Sequence, residues 1–144
     1  MGVTMKCKRT GRSVDLGMGG FYRFRQKVAE LASPSFGELH RTLLDAYQIE
    51  AGAAREAFYD EINQKTDELI QCGHLKAKIA DFCLQPDSGG AVRYGACKAI
   101  LKAVGDYDDS VCYGYAGRAD CAMFSDLKAL LNECVETKSD LVWL

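Results

Sequence analysis

Residues 3–31, VTMKCKRTGRSVDLGMGGFYRFRQKVAEL, contain the transitions that decide the fold. Residues 3–8 alternate between apolar and polar side chains, Thr-Gly-Arg follows, and residues 13–16 return, which predicts a β-hairpin. The glycine-rich corner GMGG, residues 17–20, ends this hairpin. Apolar residues then recur at helical spacing, which predicts a helix over residues 20–32. These apolar residues are Phe21, Phe24, Val28 and Leu31.

The rest of the chain is predicted to be helical in its middle, with two further strands near its end. Helices are predicted over 34–48, 53–72, 75–85, 92–104 and 121–135, and strands over 110–115 and 139–144. The fold class is therefore α+β, a small and mostly antiparallel sheet of about four short strands packed against about six helices in one domain. A right-handed βαβ unit is also expected at the end of the chain, from the strand over 110–115, the helix over 121–135 and the strand over 139–144.

The composition is that of an ordinary globular domain, with 48% apolar and 26% charged residues in 144. No apolar run approaches the roughly 20 residues of a membrane span. The basic N-terminus is not followed by the apolar segment of a secretory signal. We therefore expect a cytoplasmic location, no membrane partner and no cofactor.

The seven cysteines are odd in number, and no two have the C-x-x-C spacing. Neither a disulfide framework nor a zinc knuckle is indicated. Most of the cysteines have apolar neighbours, which favours small buried side chains in a reducing compartment.

The formal net charge is −2, but its distribution is uneven. Residues 1–28 hold seven Lys and Arg against one Asp, a charge of +6, so the remaining 116 residues sum to −8. The basic segment is suited either to an anionic partner or to the acidic surface of the protein itself. The chain is too weakly acidic for a DNA mimic and too acidic for a general nucleic-acid binder, so nucleic acid is not an expected partner.

The stretch VCYGYAGRAD, residues 111–120, precedes a predicted helix and is the first candidate ligand site. A helix N-terminus offers free N–H groups, Arg118 offers a planar fork for a phosphate, and Tyr113 and Tyr115 offer rings for a base. The glycines match neither a P-loop nor G-x-G-x-x-G. In the alternative interpretation the glycines permit a bend, the tyrosines pack, and Arg118 pairs with the acidic turn at 106–109.

Two more glycine-led helix starts carry basic and aromatic residues. LGMGGFYRFR, residues 16–25, presents Tyr22, Arg23 and Arg25 outside the apolar face, a combination that nucleotides and single strands use. SGGAVRYGACK, residues 88–98, presents Arg93 with Tyr94 and Lys98. The three starts either converge on one anion site or are three ordinary loop-to-helix junctions.

The sequence gives little indication of catalytic residues. Cys72 and His74 are close in sequence, so a thiolate–imidazole pair is conceivable, but no third orienting group is apparent. His40 is predicted to be exposed, opposite the core stripe of its helix. The acidic residues at 106–109 lack the spacing of an EF-hand and are interpreted as a solvated turn.

The stretches KRTGRSVDLGMGGFYRFRQKVAEL and YGYAGRADCAMFSDLKALLNECVETKSDLVW resemble small uncharacterised proteins of Gram-positive bacteria and their phages or integrative elements. The resemblance covers both ends of the chain and is weaker between residues 48 and 75. It carries no catalytic residues. It implies an accessory gene of a mobile element, a setting in which many proteins are inhibitors or sponges acting against host defence.

The leading hypothesis is a non-enzymatic cytoplasmic protein of a phage or mobile element that binds an anionic small molecule such as a nucleotide. The alternative is an inhibitor that docks the helical surface of residues 34–85 on a host protein. A small enzyme with a reactive cysteine is the third interpretation. A terminal strand also makes a homodimer possible.

Overall fold

The computed structural model describes residues 2–115 and 117–144. These residues form six α-helices, one 3₁₀ segment and one four-stranded sheet, so the predicted α+β class is confirmed. The strands are β1 (Gly2–Cys7), β2 (Ser13–Gly17), β3 (Gly90–Val92) and β4 (Leu141–Trp143). The helices are α1 (Met18–Ala32), α2 (Pro34–Arg41), α3 (Ala53–Gln71), α4 (Ala77–Leu84), α5 (Tyr94–Val104) and α6 (Phe124–Thr137), with the 3₁₀ segment (Thr42–Gln48) after α2. None of the described helices is long and apolar enough to cross a membrane.

The sheet is antiparallel, in the order β2-β1-β4-β3. The predicted hairpin is confirmed, since β1 pairs with β2 along its length. Val3, Met5 and Cys7 point into the core, and Thr4 and Lys6 between them are exposed, because successive side chains of a strand lie on opposite faces. The helices therefore cover one face of the sheet only.

Residues 110–115 were predicted to form a strand, and this prediction is wrong. Their backbone groups form isolated hydrogen bonds to residues in different parts of the chain. The N–H of Tyr113 donates to the carbonyl of Ala122 (2.8 Å), and its carbonyl accepts from the N–H of Gly17 (3.2 Å). Without a ladder of such bonds there is no strand here, so the predicted βαβ unit is wrong as well.

The fourth strand is instead β3, in a stretch that was predicted as a loop and a helix start. β3 pairs with β4, and Gly90 lies opposite Trp143. An added Cβ at Gly90 would lie 2.2 Å from the indole ring, so only glycine lets the two strands pair beside it. The fifth helix consequently begins at Tyr94 rather than at residue 92.

The last helix also begins later than predicted, at Phe124 rather than at residue 121. The carboxylate of Asp126 caps the start of this helix, because it accepts from the N–H of Met123 at 2.9 Å. The arrangement is a capping box, in which the third helical residue reaches back to the residue before the helix.

Aromatic side chains fill the core between α1, α4, α6 and the sheet. Phe24 meets Phe82 and Phe124 with ring centroids 6.1 and 5.6 Å apart, both edge to face. Trp143 packs edge-on against Phe82, and its indole N–H donates to the carbonyl of Pro86 (3.0 Å). Such pairs add about 0.5–1.5 kcal/mol each to the area they bury. They fix α1 and the segment after α4, from which the candidate site is built.

Cys112 and Cys121 form a disulfide, although the number and spacing of the cysteines did not indicate one. The pair closes residues 112–121, here called the tyrosine-glycine loop, and loop closure of this length contributes about 2.5 kcal/mol to stability. Of the other cysteines only Cys72 is exposed; the buried ones are Cys7, Cys83, Cys97 and Cys134. Because disulfides persist mainly in oxidising compartments, this pair gives no support to a cytoplasmic location, which stays a prediction.

Candidate functional site

A cleft of about 640 Å³, here called the aromatic cleft, lies between α1, the 3₁₀ segment, α3 and the residues that follow α4. Three of the predicted ligand-binding residues, Tyr22, Arg23 and Arg25, line it together. The other lining residues are Gly19, His40, Leu43, Leu44, Tyr47, Tyr59, Cys83, Leu84, Gln85 and Asp87. The structure thus combines the glycine-led start of α1 with side chains from four distant segments.

The mouth of the aromatic cleft is unusually apolar for a surface. Leu44, Tyr47 and Tyr59 are 50%, 76% and 40% exposed, and all three line it. Single exposed apolar side chains are common, but a contiguous group around a concavity marks a binding site. The two tyrosines also present ring faces on which a planar group can stack.

Arg25 forms the charged floor of the aromatic cleft and is only 4% exposed. Its guanidinium forms an ion pair with Asp87 and donates to the carbonyl of Gln85 (2.6 Å). It also lies 4.2 Å from the centroid of the Phe21 ring. Burial lowers the pKa of Arg25 and Asp87 opposes that change, but an arginine stays protonated in proteins. Arg25 is therefore a fixed positive charge whose donors are mostly used within the protein.

Arg23 is exposed, in contrast, and links the aromatic cleft to the tyrosine-glycine loop. One guanidinium nitrogen donates to the carbonyl of Cys112 (3.0 Å), and the group lies 5.8 Å from the Tyr113 ring centroid. Its Nε donates weakly to the carbonyl of Gly19 (3.4 Å). A solvent-facing guanidinium held over the cleft mouth is well suited to a carboxylate or phosphate.

His40 lies in the wall of the aromatic cleft and is 1% exposed, which corrects the prediction that it faces solvent. Its Nδ1 is 2.6 Å from Oε1 of Gln26, and its ring stacks on Tyr22 with centroids 5.2 Å apart. Burial and the charge of Arg25 lower the pKa of His40 to about 4. The imidazole is therefore neutral at physiological pH.

The burial of His40 follows from the close approach of α2 to α1. An added Cβ at Gly37 would lie 2.8 Å from Cα of Glu30, so glycine is required at this crossing. The amide of Gln26 donates to the carbonyl of Gly37 (2.7 Å) and ties the two helices together. The apolar pattern of α2 does not predict this contact with α1, because the contact depends on a glycine and on an amide from the other helix.

The remaining predicted ligand residues lie outside the aromatic cleft. Tyr113 is 2% exposed, and its hydroxyl donates to Asp109 (2.7 Å). Tyr115 and Arg118 form a surface pair, with the guanidinium 5.5 Å from the ring centroid, and Arg118 Nε lies 3.4 Å from Asp120. Arg93 is exposed at the start of α5. Of the three glycine-led starts, only the one before α1 contributes to this cleft.

Asp109, expected in a solvated turn, instead organises the tyrosine-glycine loop. Its carboxylate accepts from the hydroxyls of Tyr107 (2.9 Å) and Tyr113, and from the N–H of Val111 (3.1 Å). These hydrogen bonds outweigh the effect of burial and lower the pKa of Asp109. Burial, followed by the hydrogen bond to Asp109, raises the pKa of Tyr113.

Leu44, Tyr47 and Tyr59 were missed as site residues. One helix was expected over residues 34–48, which include Leu44 and Tyr47. The chain changes to a 3₁₀ segment at Thr42, and because a 3₁₀ turn has three residues, each later side chain is rotated relative to an α-helix. Tyr47 and Tyr59 are twelve residues apart, so no local sequence pattern pairs them.

Cys72 and His74 line a separate depression between α2 and α3, together with Glu38 and Glu68. Cys72 is the exposed free thiol. In the described residues no hydrogen bond joins its sulfur to His74. The reactive-cysteine interpretation stays a prediction.

Comparisons with protein-family models, curated proteins and solved structures found no match to this chain.

Proposed function

We propose that this protein binds a small anionic ligand that carries a planar ring, such as a nucleotide, in the aromatic cleft. The observation that carries the proposal is one concavity lined by exposed Tyr47 and Tyr59 and by the exposed Arg23. Ring faces suit a base, and a guanidinium suits a phosphate. Arg25 adds a fixed positive charge at the floor, partly offset by Asp87.

The proposed role is binding without turnover. Two side chains of the cleft that could act as base or nucleophile, His40 and Cys83, are poorly suited to that role, and the carboxylate of Asp87 is held in the ion pair with Arg25. His40 is neutral at pH 7 but its Nδ1 is engaged by Gln26, and burial raises the pKa of the Cys83 thiol to about 12. A general base near its operating pH, or a thiolate, is what catalysis requires, and neither is present in these two side chains.

A ligand sponge is the role that this proposal favours in a cell. A counter-defence setting is part of this proposal, and it follows from the resemblance of the chain ends to small uncharacterised proteins of Gram-positive bacteria and their phages or integrative elements. Sequestering a signalling nucleotide requires affinity and no chemistry, which is what the cleft offers.

The test is the mass of the freshly purified protein under non-denaturing conditions, compared between the wild type and two arginine variants. We expect a few hundred daltons of retained ligand in the wild type and in Arg118→Ala, and loss of that mass in Arg23→Ala. Tyr47→Ala is the second cleft variant, because a residue that is 76% exposed is replaced without cost to folding. Loss of the ligand in Arg118→Ala alone would place the site in the tyrosine-glycine loop.

A second candidate function is docking on a host protein through α3. This helix of 19 residues buries only Ile62 and Thr66, and it carries five carboxylates against Arg55 and Lys65. A long helix with so little buried surface is suited to a basic partner. In the same measurement, a protein-sized mass that is lost in Glu56→Lys/Asp67→Lys, with Arg23→Ala unaffected, would favour docking over ligand binding.

A further inference from the structure

Four lysines surround a depression of about 490 Å³ at the N-terminal end of α4, here called the lysine groove. Lys76 and Lys78 come from the start of α4, and Lys98 and Lys102 come from α5. The rest of the lining is Ala77, Gly95 and Ala99. The lining contains four cationic side chains, no carboxylate and no aromatic ring.

The two helices direct these lysines toward one another. Lys98 and Lys102 are one helical turn apart, and therefore lie on one face of α5. Nζ of Lys78 lies 2.9 Å from the position that a Cβ on Gly95 would occupy. Lys78 therefore reaches from α4 to the first turn of α5, where glycine leaves room for its ammonium group.

None of the four lysines has a carboxylate partner among the described residues. The ion pairs of lysine side chains there are Lys27–Glu30 and Lys65–Glu61, and all four lysines of the groove are exposed. Like charges at this spacing repel one another. In a protein whose net charge is −2, four uncompensated cations around one concavity create a local positive potential that attracts an anion.

The lysine groove adjoins a second depression, and the two together limit the shape of that anion. A second depression of about 330 Å³ shares Lys76, Ala99 and Lys102 with it and continues to His74. Alanine and glycine form much of the floor, and cations stand on both sides. A linear chain of phosphate groups fits such a groove, since every unit carries charge and no ring needs a stacking partner.

We propose that the lysine groove binds a linear oligophosphate, either free or as the phosphate tail of a small molecule. Ammonium groups bind phosphate oxygens as mobile point charges, so four of them are able to follow successive phosphates. This site is separate from the aromatic cleft, which is built from the other end of α4. Its occupant is defined by charge density rather than by a ring.

Isothermal titration with inorganic tripolyphosphate tests the proposal, using the full chain and Lys98→Ala/Lys102→Ala. Removing two of four charged partners should weaken binding by about 100-fold, roughly tenfold for each lost charged contact. Lys98→Arg/Lys102→Arg should retain binding, since the charge is kept. The matched control is Lys6→Ala/Lys8→Ala, which removes the same charge from exposed positions on and beside β1 and should leave affinity within about twofold.

Three outcomes would overturn the proposal. Equal loss in the control and in the groove variant would show attraction by net charge alone. Unchanged affinity in the groove variant would place the anion elsewhere. The third outcome is that a six-nucleotide single strand without terminal phosphates binds as tightly as tripolyphosphate or more tightly. That result would identify the phosphodiester backbone of a nucleic acid as the ligand. Tighter binding of tripolyphosphate than of the single strand supports the proposal. Because all substituted lysines are exposed, an unchanged melting temperature of each unliganded variant confirms that folding is intact.

Discussion

The two ends of α4 hold positive charge in opposite ways. This helix has eight residues and is therefore about 12 Å long. At its N-terminal end, the lysine groove presents four exposed ammonium groups without described carboxylate partners. At its C-terminal end, the aromatic cleft contains Arg25, which is 4% exposed and bonded to the carbonyls of Phe82 and Gln85 and to Asp87.

The difference separates charge that supports the fold from charge that is available to a ligand. A buried guanidinium has lost its hydration and must be compensated by protein acceptors, so its donors are used before any ligand arrives. Exposed ammonium groups keep their water and exchange it for an anion at little cost to the fold. In the aromatic cleft the available charge is therefore Arg23, and selectivity depends more on the tyrosines than on the floor.

Replacing Arg25 with methionine should produce the largest loss of stability, about 4 kcal/mol, because buried acceptors lose their donors. The loss stays below the upper limit of about 5 kcal/mol for breaking a buried ion pair, since Asp87 is 48% exposed and is solvated by water once Arg25 is gone. Denaturation in guanidinium chloride measures the change in the free energy of unfolding. Lys98→Met is the matched substitution at the other end of α4 and should cost less than about 0.5 kcal/mol. Comparable losses in the two variants would remove the distinction between the two ends.

Acidification should lower the free energy of unfolding through His40, by somewhat less than the replacement of Arg25. The pKa of His40 is about 4 in the folded protein, against 6.5 for an ordinary histidine. Between these values the unfolded state takes up the proton and the folded state does not, so stability that is present above pH 6.5 is lost as pH falls through 4. The difference of about 2.5 units corresponds to about 3 kcal/mol.

His40→Asn isolates this contribution, because the amide keeps a polar group near Gln26 and does not titrate in this range. The wild type should lose about 3 kcal/mol more than the variant between pH 7 and pH 4, measured by urea denaturation at each pH. Parallel curves for the two proteins would show that His40 is accessible to protons in the folded state. The subtraction also cancels the carboxylates of Glu30 and Asp109, whose lowered pKa values give acid sensitivity of the same sign.

The parts of the fold that were predictable depend on local patterns. The hairpin and α1 are specified by alternation and by helical spacing within residues 3–31, and both are present. β3 is three residues long, and its pairing depends on an indole that packs over Gly90 from the far end of the chain. Residues 110–115 have strand-like composition, but Asp109 and the Cys112–Cys121 disulfide hold them as a loop.

The candidate site was predictable to a similar extent. Interleaved basic and aromatic residues identified Tyr22, Arg23 and Arg25, and all three line the aromatic cleft. Which of the arginines is free was not predictable, because the acceptors of Arg25 come from the segment after α4. The lysine groove was hidden for the same reason. Its lysines are two pairs about 20 residues apart, and only the packing of α4 on α5 brings them together.

The smallest expected effect is also the one that tests the geometry of the lysine groove most directly. Gly95→Ala should raise stability by about 0.5 kcal/mol, since alanine favours a helix over glycine. Its new Cβ would meet Nζ of Lys78, the mobile end of a side chain, so that ammonium group moves and tripolyphosphate should bind about two- to threefold more weakly. Gly19→Ala is the matched control at the aromatic cleft, because a Cβ there meets nothing within 4 Å. It should stabilise α1 to a similar degree and leave tripolyphosphate affinity unchanged. If both variants gain stability and neither loses affinity, Lys78 takes no part in the lysine groove, and the site reduces to the two lysines of α5 and Lys76.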